Sequence, residues 1–484
     1  MSALNKGDWV GHRNAGFAAF ESVGSGTDCG CRNRIWFCLW HHMGRGGHLS
    51  RAAMHPPFGQ SSLASPCLLY RSRCRPGDLC PHLLFFWSIF KYAAIALWLV
   101  AGWPIAAFVL LLYLTRRNWG AVYAAWLTPI LWTGIEYFRS ECYYLKFAWL
   151  LPGQATAFLP GVKFERVGVY GLGFLYIVAA AMLVCGSKKV RAAGVAASIL
   201  LALMMYLPAP ARVQQSGSLF VAGVQLEEAD EQQVANALDR LAVAHPEAQI
   251  LVLSEYSFLG PVPQSVRDVL RKHRRYLIAG GMKLLPGEKF FDTAFVVGPD
   301  GRDLFEQAKS VPVQLMDDGL PAPERRVWNS PWGKIGIGVC YDISYARVMD
   351  DFMRQGAQGI IVPTMDPVKW GEYERRMLHG RLAPVRAAEY GIPVFGIWSS
   401  GVSQLVDRHG QVIATAGYPG QGQMIAGPFG LHDRGSIPLD RPLAIGSMAA
   451  AALLIIFLAY RKLASRFIEG RGGPARWSRA TGVP

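Results

Sequence analysis

Long apolar blocks bracket a central stretch that lacks them, and this arrangement leaves few folds open. Residues 83–114 are apolar almost without a break, interrupted mainly by Lys91 and Pro104, and further blocks occupy 119–138, 167–184, 190–207 and 443–460. Each approaches the roughly 20 apolar residues that a helix needs to cross a hydrocarbon core. A soluble core seldom needs so many helices apolar on every face. The pattern predicts a polytopic helical membrane part over 81–210, a last span at 441–461 and a basic tail at 462–484, around a domain at 218–430. Reading 83–114 as two crossings gives five spans before that domain and one after it. The second, about 103–115, is short for a crossing.

The net charge of +15 fits a membrane protein better than a nucleic-acid binder. Arg71, Arg73 and Arg75 precede the first span, Arg116 and Arg117 follow the second, Lys188, Lys189 and Arg191 separate the fourth from the fifth, and Arg461, Lys462, Arg466 and Arg471 follow the last. Cationic loops beside spans are held in the cytoplasm. With all four clusters inside, the central domain lies outside the membrane on the side away from the cytoplasm. No direct nucleic-acid partner is expected. The first 80 residues read as an atypical leader, either disordered or produced by a mis-assigned start. They have no sustained period and no ordinary signal peptide at Met1. Cys29, Cys31, Cys38, His41 and His42 have spacings that match no common zinc pattern. No metal and no cofactor is expected.

Within 218–430 the pattern turns to short apolar runs alternating with amphipathic ones. Strands are predicted at 219–224, 250–254, 276–280, 293–297, 335–339, 359–363 and 393–397. Helices are predicted at 229–244, 266–273, 346–355 and 373–389, and a hairpin closes around Arg408-His409-Gly410. Such alternation argues for a layered α/β domain whose site lies where strands end. Three residue types needed for thiol acyl transfer stand at such ends: Glu255, Lys309 and Cys340. A thiol needs a base or a cation to supply thiolate. Glu255 can take the thiol proton and return it to a leaving group. Lys309 can stabilise a tetrahedral oxyanion, and a helix starting near Ser344 can stabilise charge at the sulfur. A lone buried cysteine is usually packing, a lone glutamate after a strand a cap, and a lone lysine solvated. The three together, in this order, favour catalysis.

The segment resembles the carbon–nitrogen hydrolase (nitrilase) superfamily through Phe291-Asp292-Thr293-Ala294, Ala308-Lys309, Gly338-Val339-Cys340-Tyr341-Asp342 and Arg386-Ala387-Ala388-Glu389-Tyr390-Gly391. That resemblance implies an α-β-β-α sandwich with a Glu-Lys-Cys triad. Trp132-Thr133-Gly134-Ile135-Glu136-Tyr137-Phe138-Arg139, Phe147-Ala148-Trp149-Leu150 and Gly168-Val169-Tyr170-Gly171-Leu172 resemble the membrane motifs of the apolipoprotein N-acyltransferases. The implied reaction moves an acyl chain from a phospholipid donor through a cysteine thioester to a lipoprotein or other amine acceptor. Departures are Asp342 where the family usually has Glu, Val311-Pro312-Val313-Gln314 in place of its Val-Pro-Phe-Gly-Glu stretch, and Met365-Asp366-Pro367-Val368-Lys369-Trp370 in place of its Asn-Asp motif.

The family's acid after the lysine is then either moved or replaced by Asp317. Tyr341, Asp342, Asp366 and Trp149 are expected to shape or support the site. Phe147, Trp149 and Tyr170 suit either an aromatic belt or an acyl-chain entrance, and Glu136 and Arg139 stand one helical turn apart and can pair. The plasmid conjugal-transfer proteins of the TraB type share this look. They leave open a role with conjugation machinery, catalytic on another substrate or as an assembly factor. A transporter is disfavoured by the scarcity of paired intramembrane charges.

Overall fold

The computed structural model describes residues 83–155, 164–185, 188–205, 219–370, 378–417 and 420–471, so the readings for residues 1–80 lie outside it. The described residues belong to one compact unit.

The helical part begins with a short helix α1 (Phe85–Phe90), followed by α2 (Ala93–Trp119) and α3 (Ala121–Tyr137). A π-helical turn, Phe138–Cys142, extends α3, and α4 (Phe164–Cys185), α5 (Lys188–Met205) and, after the central domain, α10 (Asp440–Arg471) complete the set. Here the structure corrects the expected threading. Residues 83–114 are not two crossings. Lys91, with φ 48°, separates α1 from a single 27-residue helix that runs straight through Pro104. Interior proline is tolerated in apolar helices where neighbours re-satisfy the freed carbonyl. Phe85 and Phe86 are buried in the core that also holds Trp149, Tyr345 and Phe352, so α1 belongs to the catalytic side. With one crossing in place of two, the placement of Arg71, Arg73 and Arg75 beside the other basic clusters no longer follows.

Among the described residues, three helices are long and apolar enough to cross a membrane: Ala93–Trp119, Phe164–Val184 and Asp440–Ser465. Helix α3 has 17 residues and packs between α2 and α10, where the carbon that a side chain at Gly134 would add falls 2.4 Å from the Ser447 carbonyl oxygen.

The central domain is two six-stranded sheets. One has the order β12-β1-β2-β3-β4-β5 and the other β11-β10-β9-β8-β7-β6. The first is built from β1 (Phe220–Val224), β2 (Ile250–Val252), β3 (Tyr276–Leu284), β4 (Phe290–Val297), β5 (Asp303–Ala308) and β12 (Met424–Pro428). The second contains β6 (Val327–Ser330), β7 (Gly333–Ile337), β8 (Gly359–Thr364), β9 (Val394–Trp398), β10 (Gln404–Val406) and β11 (Val412–Thr415). Strands β1, β2 and β3 run parallel, as do β7, β8 and β9. Their near-continuous apolar sequences follow from burial on both faces.

Val221, Ile250 and Ile278 of one sheet meet Ile335, Ile361 and Phe395 of the other in the middle layer. Outside the first sheet, α6 (Glu231–Ala244) and α7 (Gln264–His273) press Leu238, Leu241, Val266 and Leu270 onto Leu251 and Leu277. Outside the second, α8 (Ala346–Arg354) and α9 (Leu382–Tyr390) press Met349, Phe352, Ala383 and Ala387 onto Ile360, Val362 and Val394. This is the expected α-β-β-α sandwich. The long helix expected over 373–389 is described as α9 only from Leu382, and residues 371–377 lie outside the described set.

The α8/α9 layer carries the domain onto the helical part through buried charge. Arg441 pairs with Asp350, Glu389 and Asp440 at 3.0, 3.0 and 2.7 Å. Asp440 also accepts the amides of Tyr170 at 2.8 Å and Gly171 at 3.1 Å. Those amides are free because α4 breaks at Gly168, whose φ is 68°, and a side chain there would strike the Asp440 carboxylate. Replacing Asp440 by Ala strands two buried amides and one partner of Arg441. Each unsatisfied buried donor costs about 1–3 kcal/mol. The Tm of Asp440→Ala in detergent is therefore expected to fall by several degrees, and an unchanged Tm contradicts this role of Asp440.

Candidate active site

Glu255 follows β2, Lys309 follows β5 and Cys340 follows β7, so the two sheets bring the three side chains together at one end of the middle layer. Lys309 Nζ lies 2.7 Å from Glu255 Oε1, and both side chains are almost wholly buried. The other Glu255 oxygen accepts the Met365 amide at 2.6 Å. Close backbone approach makes this possible: a side chain at Gly280 would fall 2.4 Å from the Glu255 Cα.

Cys340 sits at φ 49°, a left-handed conformation that costs an L-residue on the order of 1–3 kcal/mol. It opens a tight 3-10 turn, Cys340–Ser344, which the Asp342 carboxylate ties down. Asp342 accepts from Ser310 at 3.0 Å, Val311 at 2.8 Å and Val339 at 3.2 Å. Helix α8 begins at Ala346, just beyond the turn and where a helix over 346–355 is expected. Asp342 supports the site by linking the nucleophile turn to the loop after Lys309. Burial pushes its carboxyl up to about 6 against the three amides and Lys309 that favour its charge.

The protonation pattern is that of a resting thiol. Burial first, and the Glu255 carboxylate second, push the Cys340 thiol well above its usual range. Burial also works against charge on Glu255, but Lys309 holds that carboxyl below its usual value. Burial opposes charge on Lys309 as well, and Asp318 and Glu255 more than offset it, so the ammonium persists. Cys340 is therefore held as a thiol rather than as a thiolate.

The second acid is Asp318, not Asp317. Asp318 Oδ2 lies 2.7 Å from Lys309 Nζ and accepts the Val313 amide at 2.6 Å, while Oδ1 accepts the Tyr256 hydroxyl at 3.0 Å. Asp317 is exposed; in two adjacent acids on a turning loop only one side chain can face inward. Sequence reasoning also gave no role to Asp292 on β4, wholly buried, with Oδ2 3.3 Å from Lys309 Nζ. Three carboxyl groups thus surround the lysine, and the cation among them is the chain's own ammonium.

Trp149 reaches the site from the helical part. Its Nε1 donates to Ser344 Oγ at 2.9 Å, and its ring lies 5.9 Å from Tyr341 and 5.4 Å from His379. Tyr341 and Tyr345 both donate to the Lys146 carbonyl, at 3.2 and 3.3 Å. Asp366 is buried, its amide donating to Ser399 Oγ at 2.8 Å, and Gly401 packs tightly against its carboxylate. It therefore shapes the segment that carries the Met365 amide. Tyr170 is no belt residue: it is buried, with its hydroxyl 3.3 Å from Glu141. Glu136 and Arg139 do not pair; Arg139 donates to the Trp149 carbonyl at 3.3 Å and lies over the Phe147 ring.

Residues 222–427 match the sequence family described as "Carbon-nitrogen hydrolase". Together with the two-sheet sandwich, this makes the central domain a carbon–nitrogen hydrolase domain of the nitrilase superfamily, an enzyme fold. Over 379 residues the chain is also 24% identical to an apolipoprotein N-acyltransferase of Shewanella oneidensis, covering 68% of this chain and 72% of that one. An omega-amidase of Xenopus laevis, NIT2-B, is 28% identical over 178 residues. That match takes in 33% of this chain and spans 63% of the omega-amidase's length. Among solved structures, Saccharomyces cerevisiae Nit3 aligns at 21% identity and a TM-score of 0.38, covering 43% of this chain and 89% of its own.

The two acids at 317 and 318 separate experimentally. Asp318→Asn removes one charge from a buried ammonium, a loss of about 3–5 kcal/mol in comparable pairs. Burst acylation of Cys340 by a p-nitrophenyl ester is expected to slow by about 10²-fold or more in this variant, while Asp317→Asn stays close to wild type. The reverse ranking contradicts the assignment.

Proposed function

We propose that the chain is a thiol-dependent N-acyltransferase of a bacterial inner membrane, with its catalytic domain on the periplasmic side, taking an acyl chain from phospholipid and passing it to the amine of a lipoprotein. The observation that carries this reading is the Trp149–Ser344 hydrogen bond, which joins the nucleophile turn to a segment lying between two apolar helices. A soluble amidase would have no use for such a junction. The apolipoprotein N-acyltransferase relative supports the same reading because its match extends well beyond the hydrolase domain.

Sidedness is supported by where the basic residues fall. Arg116 and Arg117 end α2, and Asn118 beside them accepts from Arg461. Lys188, Lys189 and Arg191 begin α5, after α4 has left the catalytic domain, where Val169 and Tyr170 pack with Val385 and Ala388. These cations lie at helix ends remote from the site, as retention of positive loops in the cytoplasm requires.

In the proposed reaction Glu255 takes the Cys340 proton as sulfur attacks the ester carbonyl, and Lys309 faces the oxyanion. Collapse expels the alcohol, which receives the proton from Glu255, and leaves a thioester. The acceptor amine then attacks; its proton passes through Glu255 to the departing sulfur. The partners implied are a phospholipid donor and an amine acceptor. The conjugal-transfer reading has no relative behind it among those described above.

Complementation of a strain depleted of its own lipoprotein N-acyltransferase tests the proposal. Mass spectrometry is expected to find triacylated lipoprotein N-termini with the wild-type chain and diacylated ones with Cys340→Ala. Diacylated N-termini from a folded, inserted wild-type chain would contradict the lipoprotein acceptor.

A further inference from the structure

Lys309 is surrounded by more negative charge than it can balance. An oxygen from each of Glu255, Asp292 and Asp318 lies within 4.8 Å of the others, and all three residues are buried. If every carboxyl were ionised, one ammonium would face three carboxylates next to a thiol that must itself become negative. Like charges this close in a desolvated site do not all ionise, and one acid keeps its proton.

Hydrogen bonding selects which. Glu255 receives Lys309 and the Met365 amide. Asp318 faces Lys309 and receives the Val313 amide and the Tyr256 hydroxyl. Neither oxygen of Asp292 receives a hydrogen bond, and the cation it faces, Lys309 Nζ, is 3.3 Å away and already closer to the other two. Donors favour the charged form of an acid, so Glu255 and Asp318 are the carboxylates and the third acid is left to be neutral.

We propose that Asp292 is the proton-bearing member of this cluster: its carboxyl stays neutral in the resting protein and donates to Glu255, holding that base ionised and oriented toward Cys340. Asp292 is then a positioning residue, acting through Glu255, and the inference rests on the reading of Cys340 as nucleophile and Glu255 as its base. The groups facing Asp292 are Glu255 from the turn after β2, Tyr256 beside it, Lys309 after β5 and Asp318 on the following loop, and Cys340 adjoins the cluster through Glu255 and Lys309. Burial first, then the charge on Glu255, push the Asp292 carboxyl well above the usual carboxylate range. In the resting state the cluster holds Lys309 against two carboxylates. When Glu255 accepts the thiol proton, the S–H bond breaks, an O–H bond forms and the total charge is unchanged, with the new negative charge on sulfur.

The test uses the full-length protein in detergent and does not depend on knowing the acyl donor or acceptor. Infrared spectra with carbon-labelled aspartate are expected to show an aspartic-acid C=O band that persists above about pH 7 in wild type and is missing in Asp292→Asn. Absence of the band from wild type overturns the proposal without any variant. Iodoacetamide alkylation of Cys340 gives the second reading. Because Asn matches a neutral Asp in charge, the pH profile of alkylation in Asp292→Asn is expected to overlay that of wild type between about pH 6 and 8. If Asp292 were ionised, removing its charge would lower the thiol pKa by a unit or more. Alkylation at neutral pH would then accelerate by about tenfold or more, which overturns the proposal. A Cys340 that never alkylates would overturn the nucleophile reading instead, and the infrared band would still decide Asp292.

Discussion

A buried ammonium sets the terms for the whole site. Lys309 is 1% exposed, and a lysine so far from water keeps its charge only if carboxylates stand against it. Those carboxylates are Glu255 after β2 and Asp318 on the loop beyond Lys309, with the Asp292 carboxyl on β4 completing the cluster, so the first sheet must be fully formed before the charge can be tolerated. The arrangement in turn makes a thiolate expensive at rest. Cys340 is therefore held as a thiol.

The second sheet contributes the strained turn, and the helical part holds that turn in place. Cys340 is kept left-handed by Asp342, which also grips the amides of Ser310 and Val311. Behind the turn, Arg386 donates to the carbonyls of Ile343 and Ser344 and pairs with Glu389, which Arg441 of α10 also engages. Trp149 closes the same turn from the other direction. A continuous set of buried polar contacts thus runs from the start of the last apolar helix to the nucleophile. Its members are strongly desolvated, so removing one partner leaves another uncompensated.

Much of this was legible in sequence, for reasons that differ by element. Glu255, Lys309 and Cys340 stood out because chemically scarce residue types ended apolar runs, and the structure brings all three together. The strands buried on both faces were equally plain. Strand β5, Asp-Leu-Phe-Glu-Gln-Ala, was not, since an edge strand carries charge and lacks an apolar run. Strand β12 was obscured by the Gly427-Pro428 step at its end. The choice between Asp317 and Asp318 depends on the phase of an irregular loop, which no periodicity reports. Residues 83–114 misled because composition cannot distinguish two crossings from one short helix seated on the domain and one long span through Pro104. Asp342 stood out beside the nucleophile, and only the amides of a distant loop reveal it as a tie.

The central claim is that Cys340 carries an acyl chain taken from the membrane. Intact-protein mass spectrometry after incubation with phospholipid vesicles addresses it most directly. The account predicts one acyl chain added to the wild-type protein, on Cys340, discharged by an amine and absent from Cys340→Ala. Equal acylation of both proteins, or none on a folded wild-type chain, would contradict it.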